Sequence, residues 1–294
     1  MSNFSLTDPF APGSGFSALE REVLPLWMPR CRWFGGKARS PQRFDVIMAA
    51  ALSDRRDAAR LLLVQVEYAD ASRDTYFVPL QVSRGEAATL IATEYPQAIA
   101  ARIEGPNEAV LHDALCDERF RAELLDLMTS GRALESAGGT VTGLAGSALG
   151  ELLGGETEVP SRLLRVEQSN SSIIFGDRLF MKIFRKLEEG LNPDAEILRY
   201  LTERRHFAHA PAYGGGIEFR ASNEAGRLLA LALSVVPNAG DAWAFALGEV
   251  AQCYRRVIEH RADASALPLP SLFGEHTWPD FVERMIGPSF LERA

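Results

Sequence analysis

A lysine inside a short apolar run, Leu179 to Phe184, constrains this chain more than any other feature because of what flanks it. Upstream, Leu163 to Gln168 and Ser172 to Phe175 are β-prone runs separated by small polar residues, and Gly176-Asp177 turns the chain into the run carrying Lys182. Downstream, Asn192-Pro193-Asp194 reads as a helix start. Asparagine caps free amides, proline suits the first helical position and aspartate favours the positive end of the helix dipole. Glu196 follows within the first turn. Period-two alternation places Phe180, Lys182 and Phe184 on one face, so the ammonium sits among apolar neighbours, where it is costly unless an anion or carboxylate meets it.

A lysine on a third strand, paired with a glutamate on the next helix, orients the α- and β-phosphates of ATP in protein kinases. The order of elements predicts such a pair between Lys182 and Glu196. Taken singly, a lysine snorkelling to solvent and a surface glutamate explain these residues; their shared context favours the pair. The intervening loop, Gln168-Ser169-Asn170-Ser171-Ser172, lacks the glycines of the Gly-rich phosphate loop, and Gly176 stands alone. Hydroxyls and amides in a tight turn can donate to phosphate oxygens, with a plain polar β-turn as the alternative.

These residues resemble the maltokinase family, in which an EQSNTS-like loop, a K-[LI]-[FY]-R-[RK] strand and a GxNPDxE helix start recur; here they read EQSNSS, KIFRK and GLNPDAE. Two further segments are similar to that family: Arg30-Cys31-Arg32-Trp33-Phe34-Gly35-Gly36-Lys37, and Val236-Pro237-Asn238-Ala239-Gly240-Asp241-Ala242-Trp243. The resemblance implies an ATP-dependent kinase that phosphorylates maltose at its anomeric hydroxyl, giving maltose 1-phosphate for α-glucan synthesis, in a family also found fused to trehalose synthase. It implies a fold like protein kinases and aminoglycoside phosphotransferases with an extra amino-terminal cap. By position, Gln168 to Ser172 would form the phosphate loop, Lys182 would hold the phosphates, Glu196 would orient Lys182, and Val236 to Asn238 would lie near the adenine hinge. Such kinases also need an HGD-like catalytic loop and later magnesium ligands. None of His112, His206, His209, His260 or His276 precedes Gly-Asp, so no catalytic or metal-binding residue is assigned, and the magnesium ligands are expected beyond Ala294.

With 294 residues, 47% of them hydrophobic and 24% charged, the chain is long and apolar enough to bury a core. A net charge of −8 gives no general attraction to nucleic acid or anionic membrane. Arg30, Arg32, Lys37 and Arg39 cluster around Trp33, where a solvated face or internal pairing competes with a phosphate or nucleic-acid contact. Cys31, Cys116 and Cys253 are far apart and lack metal-ligand or CxxC spacing, which suits free thiols in a reducing cytoplasm. The amino terminus has neither a basic start nor a long apolar core, and no run is long enough to span a bilayer.

Residues 17 to 28 read as a helix, with strands at Asp45 to Leu52, Arg60 to Tyr68 and Thr75 to Val82. Trp33 and Phe34 read as core anchors. Pro106 to Ser136 reads as helical, Ser136 to Thr140 and Gly150 to Thr157 as loops. Pro211 to Phe219 and Arg227 to Val236 complete five strands, and Leu247 to Ala262 is a further helix. The expectation is an α+β chain: a cap over 1–90, an intermediate region and kinase-like amino-terminal lobe over 91–240, and the start of a carboxy-terminal lobe over 241–294, read as a truncated kinase without its catalytic loop and inactive by itself. The alternatives are a non-catalytic kinase-like module docking a trehalose or glucan enzyme, or a kinase of another small hydroxyl compound.

Overall fold

The computed structural model describes residues 8–55, 57–103, 109–156, 159–164, 169–222, 224–238, 240 and 242–259, and the backbone of Asn3–Phe4. Residues up to Val235 form one compact unit and those from Val236 another. In the first unit the strands β1 (Asn3–Phe4), β2 (Pro41–Ala51), β3 (Arg60–Tyr68), β4 (Arg73–Arg84), β5 (Ile99–Ile103) and β6 (Ala109–Asp113) form a sheet in the order β1-β5-β6-β4-β3-β2. A second sheet contains β7 (Ala133–Ser136), β8 (Gly139–Ala145), β9 (Ser161–Leu164), β10 (Asn170–Phe175) and β11 (Leu179–Phe184). The short β12 (Lys186–Leu187) crosses back to pair with β4 of the first sheet, and β13 (Tyr213–Arg220) and β14 (Arg227–Ser234) complete the second, whose order is β7-β8-β13-β14-β11-β10-β9.

Short helices α1 (Ser14–Ala18) and α2 (Leu24–Trp27) flank a π-helical turn over Leu19–Val23, and α3 (Glu86–Glu94) follows β4. In chain order α4 (Glu118–Ser130) links the two sheets and α5 (Leu149–Leu153) links β8 to β9 of the second. The helix α6 (Pro193–Arg199), continued by a π turn over Tyr200–Arg204, separates β11 and β12 from β13. The second unit holds α7 (Ala242–Glu259).

The sequence LLLV in β3 does not alternate because both faces of this strand are buried. Leu62, Val64 and Val66 pack with Leu19, Leu24, Trp27, Trp33 and Phe34 on one side; Leu61 and Leu63 pack with Phe120, Leu124, Ile173, Met181 and Ile183 on the other. One core therefore joins the first sheet, α4 and the second sheet. Trp33 and Phe34 anchor the cluster on the opposite face of β3, buried as expected at 9% and 2% exposure.

The five strands expected for a kinase-like lobe lie together in the order β13-β14-β11-β10-β9, with α6 after the lysine strand. Four expectations change. Pro106 to Ser136, expected to be helical, holds α4 but also β6 before it and β7 after it. The first sheet continues through β5 and β6 to Asp113, so the boundary expected near 90 falls inside it; β6, AVLHD, is buried at all five residues and shows no alternation to read. Ser136 to Thr140 is a hairpin tip between β7 and β8, and Gly150 lies in α5, where loops were expected. The strand after the polar loop begins at Asn170, so Asn170, Ser171 and Ser172 pair with Phe184, Ile183 and Lys182 of β11.

Candidate phosphate-gripping site

Strand β11 sets the position of Lys182. Leu179, Met181 and Ile183 are wholly buried in the core, which turns Lys182 to the other face, opposite Ser172 on one side and Leu231 on the other. There its side chain is 27% exposed and its ammonium lies 5.0 Å from the centre of the Phe184 ring. This is a half-exposed cation and not the buried one expected.

Its carboxylate partner is Asp194, with Nζ 2.8 Å from Oδ2. The expected partner, Glu196, is exposed and lines a groove of about 570 Å³ with Arg199, Tyr200, Arg204 and Arg220. Helix geometry gives the reason: residues two apart are ~200° apart around the axis. Ala195 and Leu198 pack on the core, so Asp194 and Glu196 flank that stripe on opposite sides, and the Asp194 side is the one turned to Lys182. Asn192 caps the helix as expected, its Oδ1 accepting from Asp194 N at 3.0 Å and Ala195 N at 3.4 Å.

Pro193 and Asp194 rim two adjoining spaces. One, of about 310 Å³, is lined by Ser169, Asn170, Lys186, Glu188 and Asn192; the other, also about 310 Å³, is apolar apart from Lys182 and Asp194, with Ile197, Leu201, Leu231 and Leu233 around them. The residues expected to form one phosphate loop thus have different surroundings. Ser169 and Asn170 line the first space. Ser171 Oγ accepts from Arg185 Nε at 2.9 Å, and Ser172 is wholly buried, its hydroxyl without a partner among the described residues. Gln168 lies outside the described residues. Val236 and Asn238 belong to the second unit, where Asn238 Nδ2 donates to Val236 O at 3.0 Å and Gly240 N donates to Asn238 Oδ1 at 3.2 Å, closing a local turn.

The first space thus offers a serine hydroxyl and two asparagine amides and the adjoining one an ammonium, groups that can donate to phosphate oxygens. Magnesium finds no such cradle: among the described residues no three His, Cys, Asp or Glu side chains converge on a point.

Sequence reasoning missed Arg185 and read Asp194 only as a helix-dipole residue. Arg185 is 2% exposed; its Nη2 donates to Asp113 Oδ2, and its guanidinium carbon lies 5.0 Å from the centre of the Trp33 ring. The next residue, Lys186, pairs with Asp74 at 3.0 Å. KIFRK therefore spends its first residue on the site and its last two on the first sheet.

Residues 27–117, which hold β2 to β6 of the first sheet, match the maltokinase N-terminal cap domain, so this segment is a cap of the maltokinase type in an α+β chain. Similar solved structures include a glucosamine kinase in complex with glucosamine, ADP and inorganic phosphate, at 18% identity and a TM-score of 0.43, covering 76% of this chain and 42% of that one. A second crystal form of glucosamine kinase matches at 18% identity and a TM-score of 0.45, covering 80% of this chain and 44% of that one. The chain spans less than half the length of these structures.

Proposed function

We propose that the chain is the ATP-gripping part of a maltokinase, which transfers the terminal phosphoryl group of ATP to the anomeric hydroxyl of maltose. The observation that carries this reading is the Lys182–Asp194 ion pair joining β11 to α6 beside Ser169 and Asn170, in a chain whose first sheet matches the maltokinase cap. On this reading Lys182 holds phosphate oxygens, Asp194 orients the ammonium, and Ser169 and Asn170 donate to phosphate oxygens from the adjoining space. These roles are positioning and electrostatic, which is nearly all that phosphoryl transfer asks of a protein. Magnesium, when bound, would supply positive charge against the transferred group. Cys31, Cys116 and Cys253 are not joined in disulfides, which accords with a reducing cytoplasm, and no described helix is long and apolar enough to cross a membrane. Association with trehalose synthase belongs to the same proposal, from the resemblance.

The test is an assay of the full-length protein with ATP and a panel of maltose, maltotriose, glucose and glucosamine. Maltose 1-phosphate as the main product is expected. ATP-dependent phosphorylation of a different sugar would overturn the acceptor, and no phosphorylation of any would overturn the kinase reading.

A further inference from the structure

Three of the segments that carry the family resemblance meet at one buried side chain, that of Arg185. Its Nη2 holds Asp113 at the end of β6, its guanidinium lies against Trp33, and its backbone carbonyl accepts from Phe77 N at 2.8 Å, all three within the first sheet and its flanking turn. Among the described residues the guanidinium makes one further bond, and it leaves that sheet: Nε donates to Ser171 Oγ at 2.9 Å, one residue from Asn170 and two from Ser169, which line the polar space. A guanidinium has a rigid planar fork, so fixing Nη2 on Asp113 and the plane beside Trp33 fixes where Nε points. With Arg185 2% exposed and the Asp113 side chain 8% exposed, no water competes freely for these bonds.

We propose that Arg185 is a positioning residue: through it the cap sets the place of Ser171, and with it the phosphate-facing Ser169 and Asn170. The inference rests on the nucleotide reading above for its consequence, but the mechanical link stands on these contacts alone. It adds to the core that the cap shares with this lobe a polar link that ends beside the space lined by Ser169 and Asn170.

Replacing Arg185 itself would leave Asp113 buried and uncompensated, so misfolding would mask the result. Ser171→Ala removes the acceptor alone, and Ser171→Thr restores a hydroxyl. In the full-length protein without nucleotide, hydrogen exchange of the amides of residues 169–172 is expected to quicken about 3- to 30-fold in Ser171→Ala, the range that coupling through such a network gives, with β4 amides unchanged and Ser171→Thr close to the unsubstituted protein. The affinity for ADP, measured by calorimetry, should fall by a similar factor in Ser171→Ala and recover in Ser171→Thr. Unchanged exchange at 169–172 in Ser171→Ala overturns the link. Faster exchange with unchanged ADP affinity overturns its role at the site. Failure of the unsubstituted protein to bind ADP overturns the nucleotide reading, and the exchange result still decides the link.

Discussion

Lys182 owes its role to incomplete burial. An ammonium 27% exposed and paired with a carboxylate 56% exposed contributes only about 0.2–1 kcal/mol to folding, because solvent screens the pair. Lys182→Ala should therefore change the urea midpoint little while abolishing most nucleotide affinity; a variant that unfolds would place the lysine in the core instead. His112 behaves in the opposite way. It is wholly buried, its Nδ1 donates to the Asp113 carbonyl at 2.9 Å and its Nε2 lies 2.8 Å from Ser83 Oγ, which donates to it in the neutral ring. Burial holds its pKa below the ordinary 6.5. The unfolded chain then binds the extra proton first, so the stability this group contributes is present above about pH 6.5 and is lost as pH falls through the folded value, at no more than about 1.4 kcal/mol per pH unit. Urea unfolding at pH 7.5 and pH 5.5 should show a larger loss in the unsubstituted protein than in His112→Gln; equal losses would contradict this. Gly36 packs so closely on Tyr68 that a Cβ there would overlap the phenol hydroxyl, which is bonded to Asp74 at 2.9 Å. Gly36→Ala should cost about 1–3 kcal/mol in denaturant unfolding.

At the scale of elements, the strand–turn–strand–helix run from 170 to 199 was legible because each piece carries its own local signal: β-prone runs, Gly176 with φ +55° at the turn, and the Asn192-Pro193 cap. Replacing Asn192 by alanine should destabilise the protein by ~1 kcal/mol through two uncapped amides, measured by thermal unfolding. The partner of Lys182 was not legible. Ala195 and Leu198 tell which stripe of α6 is buried, but Asp194 and Glu196 flank that stripe symmetrically, and only the direction in which the helix crosses the sheet chooses between them. The hairpin of β7 and β8 was hidden for another reason. Its glycines serve close approach and not flexibility: a Cβ on Gly143 would run into the Leu127 carbonyl of α4, and one on Gly138 into the Ile47 carbonyl of β2. A glycine required by a neighbour looks, in sequence, like a glycine in a loop. Arg185 was invisible because its partners, Asp113 and Trp33, are 72 and more residues away in the chain.

For the molecule as a whole, the cap and the sheet bearing Lys182 are not separable bodies. Met48, Leu61, Leu63 and Phe77 of the first sheet share a core with Leu124, Ile173, Met181 and Leu229, while Arg185, Lys186 and Arg227 reach across to Asp113, Asp74 and Thr75. Unfolding of residues 8–235 should be a single transition, and Leu63→Ala, which costs about 2–5 kcal/mol, should loosen the amides of β11 as much as those of β3 in hydrogen exchange. Loosening confined to β3 would mean the two sheets are independent. The cap is then a fixed frame for the strand that carries Lys182. The claim on which this account turns is that Asp194, and not Glu196, orients Lys182. Calorimetric titration of ADP into full-length Asp194→Asn and Glu196→Gln tests it most directly. Affinity about tenfold weaker in Asp194→Asn with Glu196→Gln unchanged is the expected result, since the neutral amide forfeits the charge-assisted bond; loss in Glu196→Gln with Asp194→Asn unaffected would contradict it.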